Sequence, residues 1–162
     1  MIEKLINLVR QNAGDEIVNN PAIPNEQNDE AMREMGEEIN KGLEQEARQG
    51  NIQNLVSMFG GNTSGGLSSN PTTRNIISRV AAKFASKFGI PESTAASIAA
   101  AVVPKVLNQF INKTNDPNDR EFDLQDVLKN FTGNSNVGDL MGQFTGGNKG
   151  LGETIGGFFN KK

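Results

Sequence analysis

The stretch from Asn70 to Lys113, NPTTRNIISRVAAKFASKFGIPESTAASIAAAVVPKVLNQFINK, constrains this chain more than any other. It reads as three consecutive helical segments with two punctuation marks, Gly89-Ile90-Pro91 and Pro104. Ile77, Ala81, Phe84 and Phe88 step by four, three and four and draw one apolar seam, which Ile76 and Val80 widen. Gly89 is placed to end the first helix, because glycine accepts the left-handed backbone of a helix stop. Pro91 suits the first turn of the next helix, where its missing N–H costs nothing, and Glu92 sits near the positive end of the helix dipole. Ala95, Ala96, Ala99, Ala100 and Ala101 make that helix slender, so it can lie deep between others. At Pro104 either the helix kinks or a new one begins, and Val106, Leu107, Phe110 and Ile111 form a further apolar face.

The flanks extend the helical pattern. Ile2, Leu5, Ile6 and Val9 predict an amphipathic helix over residues 2–12, stopped at Ala13-Gly14. Pro21 and Pro24 forbid a continuous helix through the next segment. A long helix then spans Glu26 to Arg48, with Ala31, Met35, Ile39, Leu43 and Ala47 stepping by four along one edge. Gly36 and Gly42 each weaken this helix by about 1 kcal/mol relative to alanine, and their small size permits close approach of a neighbouring helix. Gly50 ends it, and Asn51 is placed to cap the short apolar helix 52–59. The Gly/Ser/Asn-rich segment 60–71 reads as a flexible connection. The expected fold is all-α: a compact multi-helix bundle of short helices with a Gly-rich C-terminal segment. Residues 1–59 form an acidic N-terminal arm, 60–71 a linker, 72–132 the helical core, and 133–162 a run of Gly-rich short helices.

Composition narrows the chemistry. Hydrophobic residues make up 35% of the 162, there are 18 glycines, and Trp, Tyr, Cys and His are absent. The absence of cysteine excludes disulfides and thiolate chemistry, and the absence of histidine removes the usual general base and the commonest zinc ligand. The segment TNDPNDREFD (114–123) carries a dense cluster of carboxylates, but it fails as a calcium loop. Glu121 stands where the turn glycine belongs, and Val127 stands where the bidentate glutamate belongs. Its Asn and Asp residues suit turn formation, with Asp123 capping the helix that follows. No cofactor and no metal site is expected. The N-terminus lacks a basic region followed by a long apolar run, and no uninterrupted apolar stretch reaches the ~18 residues of a membrane span, so the expectation is a soluble cytoplasmic protein.

The net charge of −3 conceals a division. Residues 1–60 carry a net −6, residues 61–120 a net +4, and residues 121–162 a net −1. Eight carboxylates, among them Glu34, Glu37 and Glu38, lie between Glu26 and Glu46, while Arg79, Lys83 and Lys87 step by four along the helix after the linker, extended by Arg74. These two faces can pair within one chain or between chains. A short pattern also recurs: a polar or glycine cap, an apolar residue, any residue, an acidic or amide residue, one or two apolar residues, and a closing Phe. It appears at Asn51–Phe59, Asp123–Phe131, Asn136–Phe144 and, more loosely, Gly150–Phe158. A helix of two turns is too short to stand alone, so each copy needs a groove.

The run FGIPESTAASIAAAVVPKVLNQFINKT resembles the bacterial YidB-like family: a Gly-led turn, an Ala-rich helix, a proline step, an apolar helix and a Gly-rich tail. NNPAIPNEQNDEA and KTNDPND are similar to features of a subgroup with an added N-terminal helical segment. The resemblance implies a small all-α domain and brings no established activity and no catalytic motif. The sequence therefore points to a non-enzymatic structural or interaction protein that partners with itself, as a homo-oligomer or filament, with no small-molecule substrate. The residues singled out for contact are Arg74, Arg79, Lys83, Lys87, Glu34, Glu37, Glu38, Phe144, Phe158 and Phe159. Two alternatives compete. One is nucleic-acid binding through the basic helix 74–88, disfavoured because the following helix is nearly all Ala with Ser and Thr and offers few base-reading side chains. The other is association with a membrane surface through Arg79, Lys83 and Lys87 beside the apolar seam.

Overall fold

The computed structural model describes residues 1–60 and 66–132, which form an all-α fold of six α-helices with no strand among the described residues. Helix α1 (Ile2–Asn12) ends where expected, at Ala13, and a single π turn (Gly14–Val18) then buries Ile17. A 3₁₀ turn (Asn25–Gln27) leads into α2 (Asn28–Arg48), and α3 (Ile52–Phe59) follows Gly50, which takes the left-handed conformation at φ +81°. Asn51 stands at the N-cap of α3, but its side chain makes no capping hydrogen bond, contrary to the sequence reading. Part of the expected linker is regular: Leu67–Ser69 form a 3₁₀ turn that packs against α4 and α5, while residues 61–65 lie outside the described residues.

Helix α4 (Pro71–Phe88) is capped by the Asn70 side chain, which accepts from the Thr72 N–H at 2.9 Å. It stops at Gly89, whose φ of +65° only glycine adopts without cost. Helix α5 (Glu92–Thr114) continues through Pro104, so of the two readings the sequence left open, a new helix starting at Pro104 is excluded. Proline removes the hydrogen bond to the carbonyl four residues back, here Ala100. Ala100 is exposed, so water can take that bond. A 3₁₀ turn (Arg120–Phe122) precedes α6 (Leu124–Thr132), and the Asp126 N–H donates to the Asp123 carboxylate at 3.4 Å, as the capping pattern predicts. In the 114–123 segment the carboxylates serve the backbone. Asp116 accepts from the Asn118 N–H at 2.9 Å, and Asp119 accepts from the Glu121 N–H at 3.2 Å.

One core joins both sides of the linker. Leu5, Leu8, Ile17, Met35, Ile39 and Leu43 from the N-terminal helices share it with Ile76, Val80, Phe84, Val102, Val106 and Phe110. The acidic segment is therefore built into the core rather than attached to it. The seam of α4 is rotated from the sequence expectation: Ile76, Val80 and Phe84 are fully buried, whereas Ile77, Ala81 and Phe88 are half-buried. The reason lies on α2. An added Cβ at Gly42 would lie 2.6 Å from the Ile76 Cγ1, so the missing side chain sets Ile76 directly against the α2 backbone. Gly36 does the same for α1, where a Cβ would meet the Ile6 Cγ1 at 2.7 Å and its Cα at 3.0 Å. Both glycines thus permit the close helix approach that their small size suggested.

Aromatic contacts close the C-terminal side of the core. Phe110 makes edge-to-face contacts with Phe59 at 5.5 Å and with Phe122 at 5.7 Å, within the range that adds to simple burial. The Lys4 and Lys113 ammonium groups each lie 5.2 Å from the Phe122 ring centre.

Candidate interaction surface

The acidic and basic faces meet within one chain. Helices α2 and α4 pack antiparallel, so charges that rise along one fall along the other. Lys87 pairs with Glu30 at 2.9 Å and with Glu34, Lys83 approaches Glu34 at 3.8 Å, and Arg79 pairs with Glu38 at 3.3 Å. Amides continue the ladder: Arg79 donates to Gln45 at 2.8 Å, and Asn75 donates to Glu46 at 3.3 Å. The four-residue spacing on both helices makes this possible, because residues four apart stack on one helical face.

The ladder includes two of the most buried carboxylates, Glu34 and Glu38, at 9% and 7% exposed. Burial pushes the Glu34 carboxyl up. The hydrogen bond from Lys87, with the charges of Lys87, Lys83 and Lys41, outweighs it and holds the group below the usual carboxylate range. Lys87 is raised in turn by hydrogen bonds to Glu34 and Glu30. A second, separate pair ties the π turn to α5: Lys105 donates to Glu16 at 2.8 Å and lowers the Glu16 pKa.

The other predicted contact residues fall elsewhere. Glu37 pairs with Arg33 on its own helix at 3.4 Å and does not reach α4. Arg74 is exposed and makes no ion pair among the described residues. Phe144, Phe158 and Phe159 lie outside the described residues. Beside the ladder, a surface groove of about 450 Å³ is lined by Glu26, Asp29, Glu30, Glu34 and Lys87, among others. Its charges are largely spoken for, since Asp29 pairs with Arg10 at 2.9 Å and Glu30 and Glu34 pair with Lys87. Sequence reasoning missed Arg10 and Lys105 as partners of Asp29 and Glu16, because nothing local links residues 19 and 89 positions apart.

The two described copies of the Phe-closed pattern are both docking helices. Helix α3 buries Leu55, Val56, Met58 and Phe59, and α6 buries Val127, Leu128 and Phe131, each at 5% exposure or less. Positions five, six and nine of the pattern are buried in both. Helix α3 packs on α2 and α5, and α6 packs on α2. Helix α5 has the length and apolar composition of a membrane-crossing helix; in this fold Ile98, Val102, Val106 and Phe110 bury it among the other helices.

No family model, no curated protein and no solved structure matches this chain.

Proposed function

We propose that this chain is a non-enzymatic structural or interaction protein that acts through protein contacts and associates with copies of itself. One observation carries the choice over the alternatives: Arg79, Lys83 and Lys87 are engaged by carboxylates of α2. A basic helix that already holds its counter-charges has little left for phosphates or anionic lipid. The exposed face of α5 carries Ala96, Ser97 and Ala100, too short to read base edges. The resemblance to the YidB-like family, with its small all-α domain, fits the same reading.

Two further Phe-closed segments, 136–144 and 150–158, follow in sequence the two that form docking helices. Docking of such a segment on a second copy would join one chain to another. The test is the mass in solution by sedimentation, over a hundredfold concentration range at low and high salt. Mass that rises with concentration and is lowered by Phe144→Ser with Phe158→Ser supports the proposal. A monomer at every concentration refutes it, and retention on duplex DNA at low salt would favour the nucleic-acid alternative.

A further inference from the structure

We propose that the exposed ridge of α2 is a two-fold contact surface whose partner is α2 of a second copy of this chain, laid antiparallel. The inference rests on the self-association reading above and adds to it a surface within the described core.

The ridge is the part of α2 that its neighbours leave uncovered. Helix α1 seats against α2 at Gly36 and α4 at Gly42, on either side of the ridge. Glu30, Arg33, Glu37, Lys41, Glu44 and Arg48 fall within about 80° of the helix circumference, at 3.6 residues per turn. Each of these side chains is at least 28% exposed. Their signs alternate without a break from Glu30 to Arg48. Such a ridge is by itself a solvated face laced with its own ion pairs. Two form here, Arg33 with Glu37 at 3.4 Å and Arg48 with Glu44 at 3.9 Å. Exposed pairs of this kind contribute little, so their members are free to take new partners.

The register points to a second copy. Turned end for end about the level of Ile39, the ridge meets its own complement: Glu30 faces Arg48 of the second copy, Arg33 faces Glu44, and Glu37 faces Lys41, each with its symmetry mate. No like-charge pairing occurs among them. Glu30 and Arg48 lie at the same angle on the helix, Arg33 and Glu44 about 20° apart, and Glu37 and Lys41 about 40° apart, so the members of each pairing meet on one side of the contact. A parallel pairing in register would set every charge on its own copy, like on like. The groove beside the charge ladder lies at one end of this ridge, since Glu30, Arg33 and Glu37 line it together with Glu26. The arriving Arg48 is the most exposed of the six side chains, at 75%. It brings a cation to a groove where Glu26 has no ion pair among the described residues.

The test is a charge exchange in the full-length chain, followed by sedimentation. Arg33→Glu and Glu44→Lys each put like charge at two contacts of the dimer, so each alone should weaken dimerisation about tenfold. Mixed one to one, the two variants restore opposite charge at both contacts and should form a mixed dimer with the parent's affinity. Raised salt should weaken parent and mixture alike. Ellipticity at 222 nm checks that each variant is folded. If either is not, Glu37→Lys with Lys41→Glu repeats the exchange at the centre of the contact. Recovery on mixing supports the proposal. Parent association that neither variant weakens, or weakening without recovery on mixing, overturns the ridge contact and leaves self-association standing. A parent that stays monomeric at every concentration overturns both.

Discussion

Replacing Gly36 with alanine sets two known effects against each other at one atom. Alanine favours the helix by about 1 kcal/mol over glycine, so on propensity alone the variant should be more stable. The added Cβ, however, would lie 2.7 Å from the Ile6 Cγ1, 3.0 Å from its Cα and 3.1 Å from its backbone nitrogen. A rotamer change of Ile6 relieves only the first contact. The other two belong to the α1 backbone, so α1 must move, and with it Leu5, Leu8 and Val9, which are at most 2% exposed. Overpacking of this kind costs about 1–3 kcal/mol, and the upper end applies because backbone has to shift. The expected net loss is about 1–2 kcal/mol, or roughly 2–8 °C in Tm for a chain of this size. Gly42→Ala is the internal comparison. Its Cβ meets the Ile76 side chain, at 2.6 and 3.4 Å, and the side chain of Arg79 at 3.6 Å, with no backbone among the nearest atoms. The propensity gain then offsets more of the strain, and Gly42→Ala with Ile76→Ala should be more stable than the sum of the two single changes predicts. Urea unfolding followed at 222 nm measures all four proteins. If Gly36→Ala is as stable as the parent, or more stable, close approach of α1 to α2 does not govern this interface and the reasoning fails.

Four further outcomes follow from the same geometry. Lys83→Glu with Lys87→Glu should lower the urea midpoint, because Glu34 would then face like charge while nearly buried; Arg74→Glu, away from the ladder, should change stability by no more than about 0.5 kcal/mol. Stability should be flat near neutrality and fall at both extremes of a pH series of urea melts. Glu34 and Glu16 are held below their usual 4.5, so their contribution is present above that value and lost as pH falls through their lowered values; Lys87 is held above its usual 10.5, so its contribution is lost as pH rises through that raised value. Thr73→Val should raise stability by about 1 kcal/mol in thermal melts, since the Thr73 hydroxyl is fully buried with no hydrogen-bond partner among the described residues and valine keeps its shape. Phe110→Ala, which removes the ring shared by Phe59 and Phe122, should cost about 3–5 kcal/mol by urea unfolding; a loss under 1 kcal/mol would mean that the three rings do not form one packed unit.

Much of the fold is legible along the chain, and the reasons are local. A helix is specified within its own few turns, so the spacing of Leu5, Ile6 and Val9, the step of four from Ala31 to Ala47, and the punctuation at Gly50, Gly89 and Pro91 suffice to place α1, α2, α4 and the start of α5. Capping is equally local, which is why Asp123 was readable as the cap of α6. The two opposed charge faces were visible as well, because a four-residue period puts Arg79, Lys83 and Lys87 on one stripe regardless of context.

Other features required the tertiary structure, because they depend on which helices become neighbours. The sequence could not say whether the acidic and basic faces meet in one chain. Packing decides it by laying α2 antiparallel on α4, so that Glu30, Glu34 and Glu38 descend against Lys87, Lys83 and Arg79. It could not place the seam of α4 at Ile76, Val80 and Phe84 rather than one residue later, since that rotation is set by the space above Gly42. Nor could it show α5 passing intact through Pro104, which depends on Ala100 lying on the side open to water. Composition and period determine which helices exist; the contacts between them, a sum over distant residues, determine how those helices turn and which charges they share.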